Sequence, residues 1–284
     1  MADVSNIKKG PGKRGYILTL VVIMLFSVLA LYATNSVSNR QQQRAVLQNQ
    51  FYAEKASYVL EDVAQDIRYN VLKLDMPANS TQLFLFENLS LNKTTFLPSY
   101  ASFLQNYSPN MNTNISLGYS DPIGIVFSNG FRYQSNFSNR QIDFYNLSGG
   151  PAAVAGYYVS INSSQASSTY SLPSFMANGT FVFVNFTDLA KPSKSFTASG
   201  YVDPTVLNQF DIKYSGNNHV YVNIGLIDGR QNSYQMQQVG ITALTIHSLA
   251  VNRTVKDGLY AAYMLPVNIT FPNMNFTGNL PADG

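Results

Sequence analysis

A long stretch without charge constrains this chain more than any other feature. From Gly15 to Asn39 there is no Asp, Glu, Lys or Arg. Within it, Ile17–Ala33 (ILTLVVIMLFSVLALYA) is apolar apart from Thr19 and Ser27. Flanked by Tyr16 and Thr34, the run is about as long as a helix must be to cross a hydrocarbon core. Lipid offers no partner for backbone N–H and C=O groups, so such a segment is driven into a helix. Lys8, Lys9, Lys13 and Arg14 all precede it. The positive-inside rule then puts the N-terminus in the cytoplasm and the remainder outside the cell membrane, in a single pass. A cleaved secretory signal is the alternative, with Val28-Leu29-Ala30 meeting the small-residue requirement. The length of the apolar run and the helical pattern beyond it favour retention.

The spacing predicts helix over residues 41–74. Ala56, Val59, Leu60, Val63, Ile67, Val71 and Leu74 recur at steps of three and four, one stripe of a 3.6-residue period, and Leu47 and Phe51 extend it upstream. Gln41–Gln43, Arg44, Glu54, Glu61, Asp62, Asp66 and Arg68 fill the other faces, and Pro77 is the expected stop. As one helix, residues 16–74 would extend about 90 Å. A capping box at Ser38 and Gln41 would instead break it within Asn35–Asn39. The stripe is expected to pack on the chain's own outer domain, because its spacing is less regular than a coiled-coil seam requires.

After residue 79 the period changes to two, with turn residues between runs. Thr180–Phe186, His219–Ile227, Gly240–Leu249 and Leu259–Phe271 read as strands, and Asp228-Gly229 as a hairpin turn. Asp121-Pro122, Gly149-Gly150-Pro151 and Lys191-Pro192 mark loops, as does the Asn-rich Asn106–Asn114. Helical pattern is scarce here, at best one turn near Tyr100–Gln105. The expected fold is α+β: a long N-terminal helix, transmembrane then amphipathic, followed by an antiparallel β-rich head, a sheet or a sandwich. The expected divisions are a basic leader (1–15), a transmembrane helix (16–34), an extracellular amphipathic helix (35–78) and a glycosylated head (79–284).

Thirteen Asn-x-Ser/Thr sequons, all beyond residue 78, support that orientation independently. Their acceptors are Asn79, Asn88, Asn92, Asn106, Asn114, Asn136, Asn146, Asn162, Asn178, Asn185, Asn252, Asn268 and Asn275. Residues 79–284 hold 24 asparagines and 38 Ser and Thr, so random order would give about four sequons (24 × 38/206). The excess points to N-linked glycans at several sites, foremost Asn79, Asn114 and Asn268. In Val267–Phe271 the apolar residues share one strand face and Asn268 takes the other, an arrangement that Asn114–Leu117 repeats. Asn185 shares its face with Phe181 and Phe183, so either that face is half-exposed or Asn185 is unmodified.

Composition narrows the chemistry. Charged residues make up only 12% of the chain, about half the usual share. The net charge of +3 comes from the first 15 residues, where four basic residues face Asp3. The other 269 hold 14 basic (18 less 4) and 14 acidic (15 less 1) residues, so there is no basic stripe for nucleic acid. With no cysteine there is no disulfide, thiol catalysis or Cys-ligated metal. A disulfide-free outer domain with dense sequons fits an archaeal cell surface best. His219 and His247 lie in strand-like segments without a partner at ligand spacing, and read as hydrogen-bonded or surface side chains. Asp203, Asp211 and Asp228 could meet in space, which leaves a calcium site open. No catalytic motif, cofactor-binding motif or metal motif is present, so the expectation is a non-enzymatic protein. The many Tyr and Phe residues read as core and contact surface, with an adhesive aromatic patch as the sharper version.

The N-terminal layout resembles that of type IV pilin-like proteins over about residues 8–75. A basic leader ends in Lys13-Arg14-Gly15, and Tyr16 then opens an apolar helix that runs into an amphipathic one and a β-rich head. The resemblance implies cleavage between Gly15 and Tyr16 by a prepilin peptidase and partnership with other pilin-like subunits. Many pilins carry Glu at the fifth mature position, whereas Leu20 stands there in this chain. That departure favours a minor or pilin-like component, or a monomeric membrane-anchored surface glycoprotein serving as an adhesin or envelope-layer component.

Overall fold

The computed structural model describes residues 13–72, 74–76, 81–89, 93–119, 121–128, 130–146, 154–253, 260–272 and 274–281. The chain divides into two compact units, Met1–Lys55 and Ala56–Gly284. Helix α1 (Lys13–Gln65) belongs to both, and the first unit is described by its apolar part alone. Its most apolar 18-residue window has a mean hydropathy of 2.1, and none of that window is buried. By length and composition it can cross a membrane, a test that an N-terminal signal sequence also passes. The hydroxyl of Ser27 donates to the Ile23 carbonyl, and that of Thr34 to those of Ala30 and Leu31. The two polar groups are thus satisfied within the helix. The break expected at Asn35–Asn39 does not occur. No Gly or Pro lies between Tyr16 and Met76, and Asn and Ser cost a helix interior only about 0.5 kcal/mol each, so continuity wins over a new cap.

The second unit begins with the end of α1. Ala56, Val59, Val63, Ile67 and Val71 are buried, and Ile67 is fully inaccessible. Each large apolar side chain removed from water there contributes about 1.5–3 kcal/mol. The stripe therefore docks as its spacing predicts, but its upstream members Leu47 and Phe51 are exposed. The helix widens to a π-helical segment over Asp66–Leu72, where the expected helix to Leu74 ends. Leu74 is instead paired with Glu87 in a short strand, still buried. The proposed stop Pro77 lies outside the described residues.

Two sheets follow. The first, six-stranded, runs in the order β1 (Leu74–Asp75), β2 (Gln82–Asn88), β14 (Leu244–Arg253), β7 (Val154–Ser163), β9 (Thr180–Asp188) and β10 (Phe196–Val202). Its pairs are antiparallel except β7 with β9. The second holds β16 (Met274–Pro281), β15 (Ala261–Phe271), β4 (Ile123–Phe127), β5 (Phe131–Asn136) and β6 (Gln141–Asn146). It continues through β13 (Arg230–Val239), β12 (His219–Ile227), β11 (Leu207–Lys213) and β8 (Thr169–Ser171), with β3 (Asn114–Leu117) pairing β15. The sheets face each other as a sandwich. The rings of Phe144 in one and Tyr157 in the other stand edge to face at 6.3 Å, and Tyr157 and Tyr234 lie 5.9 Å apart. Asp228 and Gly229 both take positive φ, 49° and 74°, as the expected two-residue hairpin between β12 and β13 requires.

Three expectations need correction. Lys93–Tyr107 is a fifteen-residue helix, α2, not one turn. Pro98 and the Ser, Thr and Asn content hid it, although Leu97, Ala101 and Leu104 are buried at helical spacing. Asn106 therefore sits in a helix, and Ser108–Met111 form a 3-10 turn rather than a loop. The strand expected over Gly240–Leu249 is Leu244–Arg253, because Gly240 turns the chain at positive φ. Gly149-Gly150-Pro151 and Leu259 lie outside the described residues.

Candidate functional site

Strand alternation decides where the sequon acceptors point. Asn106, Asn114, Asn178 and Asn275 are exposed, and Asn88, Asn136, Asn162, Asn185, Asn252 and Asn268 are half-exposed. Among the described residues, the buried asparagines Asn208, Asn223 and Asn232 are outside any sequon. Asn79 and Asn92 lie outside the described residues, and Asn146 closes β6. The processing pair Gly15 and Tyr16 falls in the first turn of α1.

Three acceptors form a ladder on the outer face of the second sheet. Thr270 is paired with Asn114 on one side and with Asn275 on the other, and Asn268 is paired with Ser116 and Thr277. Each sequon thus lies against the hydroxyl residue of its neighbour. Thr270 donates to the Asn275 side-chain oxygen at 3.1 Å, and Thr277 to that of Asn268 at 3.3 Å.

The outer face of the first sheet is different: aromatic, concave and neutral. Cross-strand pairing sets Phe84, Ala250, Tyr158 and Phe183 in one row and Phe86, Ser248, Ser160 and Asn185 in the next. The small residues on the central strands leave a trough of about 360 Å³ between the rings on β2 and those on β7 and β9. Phe84 and Phe86 are 37% and 42% exposed, high for phenylalanine on a folded sheet. The Tyr158 ring lies tilted against those of Phe183, at 6.1 Å, and Phe181, at 5.5 Å. The half-exposure required for Asn185 to be modifiable is therefore present. The next row along each end carries further acceptors. Asn252 accepts from Gln82 at 2.8 Å, and Asn88 and Asn162 flank Ile246.

The interior holds a second polar group of side chains that spacing did not reveal. Glu87, buried on β2, accepts hydrogen bonds from the Tyr133 hydroxyl and, at 2.9 Å, from Ser135. His247 is paired with Glu87 across β14, and its Nε2 lies 2.7 Å from the Tyr234 hydroxyl. Burial, then the Glu87 charge and hydrogen bond, push the Tyr133 phenol well above its ordinary range. Burial does the same to Tyr234. Both stay protonated. The void beside Glu87, Tyr133 and Ser135 is about 10 Å³, at the limit for one water, and Ser135 is the most accessible of the five at 5%. The cluster can tie the sheets together but offers a substrate no entry.

A scan of protein-family models finds no match to this chain, nor does comparison with curated proteins or with solved structures.

Both histidines find carboxylate neighbours that linear spacing did not show. His219 Nδ1 lies 2.8 Å from Asp211 Oδ1. Asp203 instead accepts from Thr205, and Asp228 sits in its hairpin turn, so the three aspartates are engaged separately. Among the described residues no three His, Asp or Glu side chains gather as a metal site would need. The trough was legible only as alternation: Phe181, Phe183 and Asn185 share a face in the sequence, but its partners on β2, β14 and β7 come from distant segments.

Proposed function

We propose that this chain is a non-enzymatic, membrane-anchored surface protein of pilin-like layout. The apolar part of α1 is the anchor, the sandwich head lies outside the cell and carries N-linked glycans, and the protein serves a surface filament or its assembly or tip complex. The observation that carries this reading is one unbroken helix, Lys13–Gln65, which leads from an apolar stretch into a segment built into the sandwich. Among the described residues, ten sequon asparagines are exposed or half-exposed and the buried Asn208, Asn223 and Asn232 lie in no sequon, which supports an outward-facing head. The sealed interior cluster supports a structural role for its Glu87 and His247. Leu20, where many pilins carry Glu, favours a second reading, a monomeric anchored glycoprotein acting as adhesin or envelope-layer component.

The mature N-terminus separates the two. Mass spectrometry of native protein is expected to find Tyr16 as the first residue, with the protein recovered in sheared surface filaments at low copy. Native protein that begins at Met1 or Ala2 and is absent from filaments leaves the anchored glycoprotein.

A further inference from the structure

We propose that the aromatic trough on the outer face of the first sheet is the bed of the chain's own N-linked glycan, attached at Asn185. The inference rests on the reading of an outward-facing, glycosylated head. Four observations carry it.

The attachment point is inside the trough. In Phe183-Val184-Asn185-Phe186-Thr187, alternate residues share a face, so Phe183, Asn185 and Thr187 all point outward while Val184 and Phe186 are fully buried. Two residues along a strand is about 6.6 Å, which brings the first sugar on Asn185 over the Phe183 ring. The Thr197 hydroxyl on β10 donates to Asn185 Oδ1 at 3.4 Å, so the amide oxygen, and not the nitrogen that bonds the sugar, faces β10.

The lining suits a sugar. A pyranose presents a face of C–H bonds that packs on the electron-rich face of an aromatic ring, and Phe84, Phe86, Tyr158 and Phe183 supply such rings. Ser160 and Ser248 on the floor supply hydroxyls for the polar edge. No lining residue is charged, so neither an acidic nor a basic partner finds complementarity there.

The size and the surroundings suit a glycan better than a protein partner. A volume of about 360 Å³ holds one or two sugars, whereas a stable protein interface covers about 800 Å² on each partner. Asn252 in the row at one end and Asn88 and Asn162 in the row at the other are themselves sequon acceptors, so a second chain would approach through glycans.

The test uses the full chain purified from its own host. Glycopeptide mapping is expected to find Asn185 occupied. Asn185→Gln and Thr187→Ala both abolish modification there, and the second leaves Asn185 in place. Both are expected to lower Tm by about 3 °C or more and to raise the fluorescence of an apolar dye at least about twofold through the uncovered rings. Asn178→Gln, which removes a sequon from an exposed position off the trough, is expected to change neither. In a Phe183→Ala background the effect of Asn185→Gln should shrink by about half or more, because the two changes remove one shared contact. Asn185 found bare while other sequons are occupied overturns the glycan bed and leaves the surface reading intact. Occupied Asn185 whose loss alters Tm and dye binding no more than Asn178→Gln does also overturns it. All thirteen sequons bare in native material sinks both.

Discussion

Asp188 shows how much one side chain can organise in this head. It is inaccessible to solvent at the end of β9. Burial pushes its pKa up, but the hydrogen bonds win. Its carboxylate accepts from the Ser167 backbone at 2.7 Å, the Ser167 hydroxyl at 2.8 Å and the Lys191 backbone at 2.6 Å, and these hold it below the ordinary carboxylate range. A depressed folded pKa stabilises the fold fully above the unfolded value near 4, and the contribution is lost as pH falls through the lower folded value. Asp188→Ala leaves those donors unpaired and is expected to cost about 2–3 kcal/mol at pH 7. Thermal melts of the two proteins should differ at pH 7 and converge toward pH 2. A difference that persists unchanged at low pH would mean the carboxylate's charge contributes nothing.

Elements in this protein are joined end to face. The π-helical segment Asp66–Leu72 that continues α1 meets α2, and Tyr100 on α2 donates to Asp66 Oδ2 at 3.0 Å there. Burial, then that hydrogen bond, hold the Tyr100 phenol above its usual range, so it remains a donor. Val63 lies at the centre of the stripe and is 3% exposed. Val63→Asp places a charge there without a partner and is expected to cost about 3 kcal/mol or more, or about 6 °C or more in the Tm of the detergent-solubilised chain. An unchanged melting temperature would show that docking of α1 contributes nothing to the head's stability. The stripe itself was legible from residue spacing, since a helix shows one face every 3.6 residues whatever it packs on. Helix α2 was not, because Pro98 lies inside it, at its sixth residue, where it removes an i→i−4 hydrogen bond and reads as a breaker.

At the scale of the whole molecule, charge and sequons divide the chain in the same sense. Four basic residues, and with them the net positive charge, precede the apolar run, and every sequon follows it. Protease added to intact cells is therefore expected to degrade the chain beyond about residue 79 and to spare the first 14 residues. A head that survives intact, in cells stripped of any envelope layer, would reverse the proposed topology. With only 12% charged residues, the head's solubility is proposed to rest on glycans and amides rather than ions.

The sequence by itself determined the anchor-like helix, the docking stripe, the strand-rich head and the faces on which Asn114, Asn268 and Asn185 lie. Each is a local property: hydropathy within one turn, a period of 3.6, or alternation with a period of 2. Only the tertiary structure decided which faces became neighbours. The order β2-β14-β7-β9 sets Phe84, Ala250, Tyr158 and Phe183 in one row although they are up to 166 residues apart (250 less 84). The same order puts Glu87 opposite His247 inside the sandwich. Strand order depends on which sheet arrangement buries the most apolar surface while leaving no polar group unpaired, a sum over the whole chain that no window of sequence contains.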